Sequence, residues 1–132
     1  MTPPYNPAQA YQSVQNSATT PENTLVTLMR GTVRLLKDGC RHLSEGEYEQ
    51  WHDNSTRVRR VLSELILALD EDQAPQLTEG LRDLYLYIQV LITEGGLEED
   101  FEKLQEALDL LQQLADTWEE AQKKCKDQQK AV

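Results

Sequence analysis

Few residues in this chain have types and spacings that could do chemistry. The sequence holds two histidines, His42 and His52, and two cysteines, Cys40 and Cys125. Glu49-Gln50-Trp51-His52 has the Glu-x-x-His spacing that sets a carboxylate and an imidazole on one helix face, as a di-iron bundle requires. Such a centre needs a second pair, and His42 has Gly39 where its glutamate should stand. A zinc site built from Cys40, His42, His52 and Cys125 fails on spacing, because the first pair is too close and the rest are scattered. Asp70 and Asp72 open like a calcium loop, but Pro75 replaces its glycine and Leu81 its closing glutamate. No glycine-rich phosphate loop is present, and no motif pairs a serine with a histidine and an aspartate. The expectation is a binding protein and not an enzyme, with no catalytic residue, no cofactor and no metal.

Charge narrows the partners. The net charge is −10 over 132 residues. Nucleic acid is not expected, because phosphate binding needs clustered Lys and Arg. An anionic membrane surface is disfavoured for the same reason, and no apolar run reaches the ~20 residues that span a bilayer. The N-terminus lacks the basic region and apolar stretch of a secretory signal, so a cytoplasmic location is expected. Cys40 and Cys125 then read as free thiols, and the sequon Asn54-Ser55-Thr56 carries no weight. Residues 70–120 hold fifteen acidic side chains and two basic ones. Solvated outer faces account for that asymmetry. Electrostatic steering of a basic partner is the sharper alternative.

Four helices must position whatever surface does the binding. Residues 1–20 form an expected flexible arm. Residues 1–21 contain no charged side chain and four of the five prolines, and such a stretch cannot bury enough apolar area to fold alone. The bundle is expected over 21–122, and a frayed polar tail over 123–132. Thr20 and Pro21 predict the start of the first helix, whose apolar residues are Leu25, Leu28, Met29, Val33, Leu36 and Cys40. Close approach of a neighbouring backbone would explain Gly31. Ser44-Glu45-Gly46-Glu47 predicts a turn. The second helix carries Trp51, Val58, Val61, Leu62, Leu65, Ile66 and Leu69. The third carries Leu77, Leu81, Leu84, Tyr85, Ile88, Leu91 and Ile92, and Gly95-Gly96 is expected to end it. In the fourth, Leu97, Phe101, Leu104, Leu108, Leu111, Ala115 and Trp118 alternate steps of four and three, an a/d seam. Short connections imply an all-α, antiparallel up-down four-helix bundle.

One segment is too apolar for a single buried face. Leu84, Tyr85, Leu86, Tyr87 and Ile88 are consecutive, so they surround their helix. Either that helix is central, or part of the run is exposed, and Leu86 falls on the far side. Val26 and Leu35 make a similar excess on the first helix. An exposed apolar strip marks a binding site, and a groove for an amphipathic partner helix would use it.

Several of these segments resemble the flagellar secretion chaperones of the FliS family. Asn6-Pro7-Ala8-Gln9-Ala10-Tyr11 looks like the family's Asn-Pro-Tyr-x-x-Tyr arm. Ala18-Thr19-Thr20-Pro21 is similar to its helix-opening Thr-Ala-Ser-Pro, and Gly31 falls on a family glycine. Ser63-Glu64-Leu65 with Leu69-Asp70 resembles the end of its second helix. Leu84-Tyr85-Leu86-Tyr87-Ile88 resembles Leu-Tyr-Asp-Tyr-Ile, and Asp116-Thr117-Trp118 its Asp-Thr-Trp. The likeness spans about residues 6–121. Departures are Ala8 for the first arm tyrosine, Leu86 for an aspartate, and Val26-Thr27-Leu28-Met29-Arg30-Gly31 for Leu-Met-Leu-Tyr-Asp-Gly.

The resemblance implies a cytoplasmic bacterial chaperone. Its client would be the disordered C-terminal segment of flagellin, which becomes helical in an apolar groove. Binding would prevent premature polymerisation, and the complex would pass to a component of the flagellar type III export gate. The residues expected at the groove and arm are Tyr5, Tyr11, Val26, Leu28, Met29, Tyr85, Leu86 and Tyr87. A charge at Met29 or Tyr85 is expected to weaken client binding and leave the bundle folded. A monomer or weak dimer is expected. The alternative of another class is a structural or regulatory bundle that self-associates through the strip.

Overall fold

The computed structural model describes residues 21–130 apart from 71 and 73, with side chains over 24–124. Tyr5, Tyr11 and Thr20 lie outside the described residues. Four helices follow in order: α1 (Pro21–Ser44), α2 (Tyr48–Leu67), α3 (Pro75–Glu98) and α4 (Phe101–Lys130). No strand occurs among the described residues. The backbone of α4 is helical through Lys130, past the boundary expected at 122.

Each helix buries one stripe. Met29, Val33, Leu36 and Leu43 come from α1, and Trp51, Val58, Val61 and Leu62 from α2. Tyr85, Ile88, Leu91 and Ile92 come from α3, and Leu104, Ala107, Leu108, Leu111, Leu114 and Ala115 from α4. These spacings of three, four and seven are the helical period that the sequence displays. α1 packs on α2 and α4, and α3 packs on the same two. Consecutive helices are therefore neighbours, α4 closes back on α1, and α1 and α3 lie across a diagonal. With connections this short, the neighbours run antiparallel.

The turns show where sequence signals hold and where packing overrides them. Gly46 sits at φ +76 in the α1–α2 turn, a conformation that favours glycine. Asp100 caps α4: its Oδ1 accepts from the backbone N–H groups of Glu102 at 3.1 Å and Lys103 at 3.3 Å. Gly95 and Gly96 do not end α3. The helix continues to Glu98, and Glu99 takes the left-handed position at φ 52. The two glycines are needed inside the helix instead, where Leu104 and Trp51 come close to the backbone. Leu97 consequently belongs to α3, not to the α4 seam, and is exposed with Phe101. Gly31 is also corrected: a Cβ there would meet nothing within 4 Å. The close approach on α1 is at Gly39, against Asn54 and Trp51.

Candidate functional site

Packing sorts the expected binding residues into three groups. Met29 and Tyr85 are core residues, 1% and 2% exposed. Each lies at the inward position of its helix, so neither is presented to a partner. Val26 and Leu28 are half-buried on α1. Leu86 and Tyr87 are exposed on α3. α1 and α3 are diagonal, so these two pairs occupy different faces and do not line one groove. The crowded run on α3 is thereby resolved. Tyr85 and Ile88 point in, while Leu86 and Tyr87 point out.

Neighbouring helices fix the orientation of α3. On one flank, the Tyr87 hydroxyl donates to Glu106 Oε1 of α4 at 2.7 Å. That bond holds the Tyr87 phenol above its ordinary value. On the other flank, Gln89 Nε2 donates to the Arg59 carbonyl at 3.0 Å and to Ser63 Oγ at 2.9 Å, both on α2. At the helix's end, Lys103 of α4 donates to Glu94 at 3.0 Å and to Glu98 at 3.1 Å. Between these flanks lies a row that sequence reasoning found only in part. Val90 and Leu97 are exposed beside Leu86. Their signal is the spacing of four residues from Leu86 to Val90 and seven from Val90 to Leu97, hidden where Leu97 is read as part of the next helix.

On the opposite side of the bundle, Arg30 Nη2 of α1 donates to Asp116 Oδ1 at 2.7 Å and to Glu119 Oε2 at 2.9 Å. Arg30 thus ties α1 to α4, an ordinary surface clamp worth about 0–1 kcal/mol. Burial pushes the Tyr85 phenol up, and the Trp118 indole beside it partly offsets the shift. The Trp118 N–H nevertheless makes no well-formed hydrogen bond, so geometry assigns it a weak contact at most. The Cys40 thiol is pushed up to about 11 by burial. In a Cys125→Ser background, Cys40 should therefore react with a thiol reagent at pH 8 much more slowly than free cysteine. Equal rates would contradict a buried thiol.

No group of three or more His, Cys, Asp or Glu suited to a metal occurs among the described residues. His42 Nδ1 instead lies 3.0 Å from Glu47 Oε1 across the α1–α2 turn. Among the described residues no helix is long and apolar enough to cross a membrane.

Fold and surface together define a small helical bundle with apolar side chains exposed on α3. The family whose profile matches is described as flagellar protein FliS, over residues 4–125, nearly the whole chain. The chain belongs to the FliS family, which serves flagellar export as chaperones. Compared with curated proteins one by one, it matches none.

Proposed function

We propose that this chain is the cytoplasmic export chaperone of a flagellin. It holds the client's disordered C-terminal segment as helices against apolar surface, prevents premature polymerisation, and aids delivery to the flagellar type III export gate. The observation that carries this reading is the family match across residues 4–125. The exposed Leu86 and Tyr87 on α3 support it physically. Half-buried Val26 and Leu28 on α1 offer a second strip on a separate face. A segment reaching both must wrap around the bundle, because the helices are diagonal. Coupled folding of such a segment buries on the order of 1,000–3,000 Å² and loses several kcal/mol to ordering.

The test is co-purification with full-length flagellin and with flagellin lacking its C-terminal segment. Only the former should bind. Leu86→Glu with Tyr87→Glu is expected to weaken binding by about tenfold or more. Circular dichroism should stay unchanged, because both side chains are exposed. Equal capture of the truncated flagellin would refute the reading.

A further inference from the structure

The outer face of α3 carries a longer pattern than the flagellin reading uses. Glu79, Asp83, Leu86, Val90, Glu94 and Leu97 follow one another at steps of four, three, four, four and three. Those steps line them along one helix face, and all six are exposed. Leu86, Val90 and Leu97 are 45%, 49% and 82% exposed. The apolar part runs about 16 Å, three helical turns. At its end, Phe101 and Tyr48 add further exposed apolar surface. Trp51 in α2's first turn lies against Gly96, which places that turn beside the α3–α4 turn.

The ground on the α4 side of this stripe is negative, while the α2 side carries Arg59, whose carbonyl accepts from Gln89. Glu98, Glu99, Glu102, Glu106 and Asp109 are exposed on α3, α4 and the turn between them. The basic residues of α3 and of α4 before Lys123 are Arg82 and Lys103, and Lys103 is already held by Glu94 and Glu98.

We propose that the stripe seats a cationic amphipathic helix of another protein. Apolar side chains of that helix, spaced by three and four residues, would cover Leu86, Val90 and Leu97. Its Lys and Arg would meet Glu79, Asp83 and the α4 carboxylates. Charge selects this occupant over the alternatives. A second copy docked through the same face would set one acidic row against another. The chain's own first 21 residues have no charged side chain to offer. An anionic membrane would be repelled. The inference goes beyond the flagellin reading, since it adds Val90 and Leu97, fixes the partner's charge, and holds whichever protein supplies the helix.

The test titrates the full chain with a labelled helical peptide of about 18 residues, Leu on one face and Lys and Arg beside it. Two comparison peptides carry Glu in place of Lys and Arg, or the same composition with the Leu positions scrambled. The patterned cationic peptide should bind at least about tenfold tighter than either, and less tightly as salt rises. Val90→Ser with Leu97→Ser should remove at least about tenfold of that affinity at unchanged helicity. Amide shifts in NMR should centre on α3 between Leu86 and Leu97. Equal binding of the scrambled peptide would reduce the effect to bulk charge and overturn the proposal. So would shifts centred elsewhere, or a dimer in sedimentation that the double variant dissolves, since a second copy would then own the stripe.

Discussion

Replacing Met29 or Tyr85 by aspartate is expected to unfold the bundle, not to silence a binding surface. The two side chains are 1% and 2% exposed and belong to the one core that all four helices share. Either change leaves a carboxylate with no partner in an apolar interior and removes a large packed side chain. Leaving a charge buried and unpaired costs about 3–5 kcal/mol, and truncating a core side chain adds about 2–5. A domain of this size has about 5–15 kcal/mol in all. Urea denaturation followed by circular dichroism should therefore show a collapsed midpoint or no cooperative transition. Met29→Leu keeps shape and polarity and should lose less than about 1.5 kcal/mol. A Tyr85→Asp chain that melts like the parent yet fails to hold flagellin would place Tyr85 at the surface and contradict the packing.

Met29 and Tyr85 also mark the limit of what the sequence reveals. Periodicity made the four helices and most of the core legible, because a buried stripe forces apolar residues onto one face. Leu104, Leu108 and Leu111 are buried as their spacing requires. Periodicity does not say which residue of an apolar run faces inward when the run surrounds the helix. At Leu84–Ile88 the answer came from the neighbours: Glu106 draws Tyr87 outward to one flank, and Ser63 and Arg59 hold Gln89 on the other. The end of α3 was hidden for a related reason. Glycine at Gly95-Gly96 is a local stop signal, but here a long-range contact demands it. The left-handed residue falls on Glu99, which local rules would not choose. Losing that boundary split Leu97 from Leu86 and Val90, and so concealed the exposed apolar row on α3.

Gly96→Ala is accordingly expected to destabilise the bundle, although alanine is the better helix former by about 1 kcal/mol. A Cβ at Gly96 would lie 2.6 Å from Trp51 Cζ2 and 2.9 Å from Trp51 Nε1. The indole has little room to retreat. Its opposite edge approaches Gly39 of α1, where a Cβ would sit 3.2 Å from Trp51 Cε3. Trp51 is thus wedged between glycines of α1 and α3, the two neighbours of its own helix. Gly95 is as constrained, since its Cβ would lie 2.7 Å from Leu104 Cγ, a fully buried side chain. Overpacking of this kind costs about 1–3 kcal/mol, which outweighs the gain in propensity. Gly31→Ala supplies the opposite sign: its Cβ would meet nothing within 4 Å, so propensity should act alone and stabilise by about 0.5–1 kcal/mol. Denaturation midpoints of the three variants decide the matter together. A rise for Gly31→Ala with falls for Gly95→Ala and Gly96→Ala fits the wedge. A rise at Gly96 would mean that Trp51 is free to move. If the α3 backbone gives way instead, Leu97 shifts with Gly96 directly before it, so the cationic peptide titration on Gly96→Ala separates a moving indole from a displaced helix end.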